Sequence, residues 1–159
     1  YHGSVLPDRS LAIENPILSP ETDDILYYGR IYILETYLGF INEKSFRDSD
    51  VDKTARQVHL HHFTDEVRHK AWDKAMIEEN FHRAQTKGLD SELKGVRDLL
   101  LTYQEYVAQS SCNPSIYRAM GFDNILQLRT DAVASERRKE QLAPWSQGLN
   151  DYFTSIGFE

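Results

Sequence analysis

The sequence predicts an all-α protein, and three observations carry that expectation. Apolar residues recur at spacings of three and four along several segments. Asp, Ser or Asn-Pro stands where those segments begin, as helix starts require. The segment from Asp50 to Gln85 runs without Pro or Gly, the next break being Gly88. No internal repeat or low-complexity tract interrupts the pattern.

Taken in order, residues 1–22 carry Pro7, Pro16 and Pro20 with little periodicity and read as an extended arm or connection. The acids Glu21, Asp23 and Asp24 suit a helix start, and ILYYGRIYILETYLGFI follows, apolar nearly all round. A first helix is therefore expected over about residues 23–46, central in a bundle. Ser49 or Asp50 is the expected cap of a second, long helix ending before Gly88. A third starts at Asp90 or Ser91, with Leu93, Val96, Leu100, Tyr103 and Val107 on one face. Asn113-Pro114 starts a short helix that stops at Gly121, and Asp123 opens NILQLRTDAVA. Ser135 opens ERRKEQLAPWSQGLNDYF, with an interruption expected at Pro144.

The chain of 159 residues suits one domain, and 40% hydrophobic with 27% charged residues describes a globular protein. A formal net charge of -7 without a Lys/Arg cluster disfavours nucleic acid or anionic membrane as a partner. The single Cys112 cannot form an intramolecular disulfide and reads as a structural thiol near a turn. No apolar run approaches the roughly 20 residues of a membrane helix, and YHGSVLPDRS lacks signal-peptide character. A cytoplasmic protein is expected.

VHLHHFTDEVRHKAW, residues 58–72, concentrates four histidines and two acids within the long second helix. Residues advance about 100° each around a helix. With His62 at zero, Glu66 lies near 40° and His69 near -20°, so three strong metal-ligand types share one face. His59, at about 60°, borders that stripe, while His61 lies on a flank. Ala55, Val58, Asp73 and Met76 continue the stripe on either side. Burying such groups without partners costs on the order of 1–3 kcal/mol each, and a divalent metal would satisfy them. A solvated face with i,i+4 contacts is the alternative.

Glu35 sits in IYILETYLGF, where the only other ionisable groups within five residues are Arg30 and tyrosines. If that segment is central, the carboxylate needs a cation or a proton. Pairing with Arg30 or a hydrogen bond from a tyrosine such as Tyr32 would also satisfy it.

Together these residues resemble one half of a ferritin-like di-iron carboxylate site, which takes a Glu from each of two helices and a Glu-x-x-His from each of two others. Glu35, Glu66 and His69 match one Glu and one Glu-x-x-His. DEVRH at Asp65–His69 is similar to the superfamily's Asp-Glu-x-Arg-His form, whose Asp commonly supports a ligand histidine. HFTDEVRH, starting 27 residues after Glu35, resembles the second half-site of the p-aminobenzoate N-oxygenase family, which has an extra histidine one turn earlier. IYRAMGFDNILQLRTDAVAS is also similar to that family's C-terminal part. The likeness covers about residues 25–135, with its specificity in four positions.

The resemblance implies a ferritin-like bundle to which this chain contributes the C-terminal half, holding two irons. Glu35 and Glu66 would be catalytic as well as metal ligands, with His62 and His69 as terminal ligands. Asp65, Asp73 and His59 would orient the ligands from behind. The implied activity is O2-dependent oxidation of an amine to a hydroxylamine, nitroso or nitro product, with an electron donor. The amine could be a small molecule or carrier-bound. An upstream Glu and Glu-x-x-His should complete the set, yet nothing before Glu35 supplies them. Glu79-Asn80-Phe81-His82 has the spacing but lies about 220° around the helix from Glu66 and reads as surface. Asp98 and Glu105 bring no histidine. The missing half is expected from a segment preceding Tyr1, a complementary chain or a second subunit; a homodimer is compatible.

Other classes fit the same residues. His, His and Glu suit a hydrolytic or structural zinc site, and a metal-free helical interaction module could use this face to bind another helix. Tyr28, Tyr32, Tyr37, Phe63 and Trp72 are expected to pack in the core, or else to line a cavity. His61 and His82 are assigned to the surface and His2 to the arm.

Overall fold

The computed structural model describes residues 17–158, so most of the expected N-terminal arm, with His2, lies outside the described residues. Those residues form an all-α bundle of six helices: α1 (Pro20–Arg47), α2 (Lys53–Thr86), α3 (Asp90–Ser110), α4 (Pro114–Ala119), α5 (Ile125–Ala134) and α6 (Glu136–Ser155). No helix among them is long and apolar enough to cross a membrane.

α1 is the central element, as its apolar circumference foretells, and packs against α2, α3 and α6. Ile25 and Ile33 from α1, Ile77 from α2 and Val96 from α3 are fully buried, with Leu149 of α6 beside them in the same core. α1 begins at Pro20, three residues earlier than the periodicity suggests, because proline suits the first helical turn. Glu92 of α3 fastens that end by accepting hydrogen bonds from the Ser19 backbone N–H, the Ser19 hydroxyl and the buried Thr22 hydroxyl. These bonds hold the Glu92 carboxyl below its ordinary range.

Two local expectations are corrected. The cap of α2 is Asp52, whose carboxylate accepts from the backbone N–H groups of Thr54 and Ala55, in place of Ser49 or Asp50. α6 continues unbroken past Pro144, because Trp145, Leu149 and Tyr152 bury one face of the helix. The Trp145 indole N–H also donates to the Thr36 hydroxyl of α1. Tertiary packing outweighs the one backbone hydrogen bond that proline removes.

Gly29 sets the separation of α1 and α3. A Cβ there would stand 2.8 Å from both terminal carbons of Leu100, which is itself buried. Gly29→Ala is therefore expected to destabilise the fold by about 1–2 kcal/mol, since overpacking outweighs the better helix propensity of alanine. Urea unfolding checks this; a gain in stability would show that the α1–α3 contact is loose.

Candidate metal centre

The α1–α2 hairpin brings the residues singled out from sequence to the middle of both helices. Glu66 points into the hairpin and is 6% exposed. Its Oε1 accepts a 2.8 Å hydrogen bond from Asn42 Nδ2, while its buried Oε2 has no hydrogen-bond partner among the described residues. Asn42 in turn receives His59: the Nδ1 of that ring lies 2.6 Å from Asn42 Oδ1. With Nδ1 protonated, the chain reads His59 to Asn42 to Glu66, each group donating to the next.

Two turns further along α2, Asp73 is 3% exposed and its Oδ2 is also buried with no hydrogen-bond partner among the described residues. Glu35 is half-buried across the interface, its Oε1 3.4 Å from His69 Nδ1. It does not take up the alternatives of Arg30 or Tyr32 as its ion-pair partner; the pair is with His69. Burial pushes the Asp73 carboxyl up to about 6, the negative charge of Glu35 adds to the rise, and His69 opposes it. Burial likewise raises the Glu66 carboxyl; its bond from Asn42 opposes the rise, Glu35 reinforces it, and Lys70 and His62 oppose it.

His62 and His69 are more exposed than a closed core would leave them, lying on the open side of the hairpin. The stripe is accordingly buried at Glu66 and Asp73 and open at the imidazoles and at Val58, which is 49% exposed. Among the described residues, no three His, Cys, Asp or Glu side chains stand as a closed chelate. Glu35 pairs with His69, and Glu35 and His62 both lie within electrostatic reach of Glu66, which is the one of the four that is buried.

The other assignments divide. Asp65 is exposed and paired with Arg68, one turn along the same helix, the surface role rather than support of a histidine. His61 and His82 are exposed, and Glu79 pairs with Arg83, so the second Glu-x-x-His spacing is surface. Tyr32 and Tyr37 are core, edge-on or tilted against Tyr152 and Trp145, and Phe63 packs on Phe46. Tyr28 packs half-buried against the core, but Trp72, expected inside, is 62% exposed. Cys112 is a buried free thiol after α3.

Two contributors carry no signature in the sequence. Asn42 is a neutral amide in an apolar run. Gly39 permits close approach of α2: a Cβ there would lie 3.0 Å from Lys70 Nζ and 3.3 Å from Glu66 Oε2. Behind it, a cleft of about 280 Å³ opens toward α6, lined by Tyr32, Thr36, Phe40, Phe63, Lys70 and Trp145 among others.

The donor chemistry fits a divalent cation. Two buried carboxylates each keep an oxygen without a hydrogen bond, a costly arrangement that a metal relieves directly or through a bound water. Carboxylate and imidazole together suit iron and zinc. No known protein family, curated protein or solved structure matches the chain.

Proposed function

We propose that the chain carries half of a non-haem di-iron centre and that the protein is an oxygenase acting on an amine nitrogen. The observation that supports this most is the Glu66 carboxylate, buried on a helix interface with one oxygen unsatisfied, beside Glu35, His62 and His69. In this reading Glu35, His62, Glu66 and His69 hold iron, and helices bearing a further Glu and Glu-x-x-His complete the set.

Bound iron would supply O2 activation, and an electron donor and two protons would complete the conversion of amine and O2 to hydroxylamine and water. The residues of this chain position the metal and hold protons. Asn42 fixes the rotamer of Glu66 by donating to Oε1, and His59 fixes Asn42. Asp73 faces Glu35 and His69 from behind, where its negative charge favours His69 as a donor. The cleft behind Gly39, aromatic with one lysine, is the candidate amine pocket.

The test is anaerobic loading with Fe(II), iron counting, and exposure to labelled O2 with a panel of amines and a reductant. Iron uptake and one labelled oxygen atom on the amine nitrogen are expected. Uptake of zinc with no O2 consumption would replace this reading by a zinc site, and no metal uptake would leave a helical interaction module.

A further inference from the structure

α3 and α6 both pack on α1 but make little contact with each other. Between them lies a second cleft of about 340 Å³, which shares no lining residue with the one behind Gly39. Its volume is at the small end of the range for small-molecule sites. The directions of the two helices follow from what each touches on α1. Glu92 of α3 meets Ser19 and Thr22, and Leu100 meets Gly29, so α3 runs parallel to α1. In α6, Trp145 meets Thr36 and Tyr37 while Tyr152 meets Tyr32, so α6 runs antiparallel to both.

This arrangement sorts the lining of the cleft along its length. Arg97, Leu100, Leu101 and Gln104 follow one another at helical spacing on one face of α3, and Asn150, Phe153 and Thr154 do so on α6. Arg97 and Thr154 therefore share one end, and the amides of Gln104 and Asn150 share the other, about 10 Å away along α3. Leu100, Leu101 and Phe153 make the apolar stretch between. Gly157, left-handed at φ 81, turns the chain back so that Phe158 packs on Phe153 and Phe81, which fixes that apolar floor. No carboxylate lines the cleft, and its one ionised group is Arg97, in a chain whose formal net charge is -7. Asp98, beside Arg97 at 4.0 Å, is exposed, and such a contact is worth too little to occupy the guanidinium. Among the described residues the Gln104 and Asn150 amides carry no hydrogen bond within the protein.

We infer that this cleft binds a small monocarboxylate with an unbranched apolar body about 10 Å long, its carboxylate on Arg97 and its far end at the two amides. The guanidinium presents paired N–H donors that match a carboxylate, and the Thr154 hydroxyl adds a further donor. Each methylene laid on Leu100, Leu101 and Phe153 leaves water and adds affinity. A cation would meet Arg97 with no counter-charge, and a dicarboxylate would leave its second charge against neutral amides, so a single negative charge is selected. A neutral hydrogen-bonding group at the far end, such as a hydroxyl, would engage Gln104 and Asn150.

Isothermal titration of the whole chain with octanoate, octanol and octylamine tests this. Octanoate should bind saturably, octanol about tenfold or more weakly, and octylamine not at all. Arg97→Gln should weaken octanoate about tenfold or more and leave octanol unchanged. Leu101→Glu, at the exposed edge of the cleft, should weaken octanoate as well. Lys94→Gln, which is exposed and lies outside the lining, should not. The ω-hydroxy form of octanoate should bind several-fold tighter, and Gln104→Leu should remove that gain while leaving octanoate itself unchanged. Circular dichroism checks the helicity of each variant; if Arg97→Gln loses it, Leu101→Glu carries the test. No saturable binding of octanoate, equal binding of octanoate and octanol, or folded Arg97→Gln without effect would overturn the inference. Equal losses in Lys94→Gln and Arg97→Gln would assign the binding to general surface charge and overturn it too.

Discussion

Glu66→Gln is expected to abolish iron binding and, in metal-free protein, to raise stability. The two effects share one cause. The Glu66 carboxylate is buried, its Oε2 has no hydrogen-bond partner, and burial raises its affinity for a proton. Glutamine keeps an oxygen to accept from Asn42 Nδ2 and removes the buried charge. Removing a partly desolvated charge, offset by the amide NH2 that replaces Oε2, is worth about 1 kcal/mol, a rise of roughly 2–4 °C in Tm for a domain of this size. The loss of iron affinity should exceed the roughly 10–100-fold seen when an outer hydrogen-bond partner of a ligand is removed. Calorimetry with a chelator and titration with Fe(II) measure the two effects separately. A metal-free variant less stable than the wild type would mean that Glu66 serves the fold rather than a ligand.

Asp73 should make the metal-free protein more stable as pH falls from about 6 toward 4. Its carboxyl is pushed up to about 6 by burial, from an ordinary 3.8. Between those values the folded state keeps the proton that the unfolded chain has released. Folding is then favoured by protonation, and this contribution fades as pH rises through about 6. Most carboxylates in native ion pairs behave the opposite way; Glu92, held below its ordinary range by Thr22 and Ser19, loses its contribution as pH falls. Glu35 and His69 also face Asp73, and Tyr32 lies near it. The wild-type profile is therefore compared with that of Asp73→Asn. Urea midpoints at several pH values between 4 and 7.5 should show a slope in the wild type that flattens in the variant. Parallel profiles would contradict the burial of an unpaired carboxyl at this position.

Much of the fold was legible because helices announce themselves locally. Periodicity placed α2 and α3 within a few residues of their observed ends, and the all-round apolar character of ILYYGRIYILETYLGFI marked α1 as central. What escaped were features decided by competition between neighbours. The α1–α2 turn offers Ser49 and Asp50 as caps by residue type, and only coordinates show that Asp52, two residues further on, takes the role. Pro144 signals a break unless the packing of Trp145 and Leu149 on the core is known.

The candidate site shows the same division. Helical geometry put Glu66, His62 and His69 on one face, and the coordinates place Glu66 inside with the histidines toward the open side. Asn42 could not be found from residue type, because an amide gains its role only from the Glu66 and His59 groups it meets across the hairpin. Trp72 was misplaced because aromatic composition foretells burial on average and says nothing of which face a neighbour covers.

The most direct measurement is an anaerobic Fe(II) titration of the wild type and of single alanine variants, read by thermal shift and by iron content. Saturating iron at about 100 times Kd should stabilise the wild type by roughly 2.7 kcal/mol. That shift should vanish in Glu35→Ala, His62→Ala, Glu66→Ala and His69→Ala and persist in Asp65→Ala and His82→Ala. A wild-type chain that takes up no iron, or the same shift in all six variants, would contradict the assignment of these four residues as iron ligands.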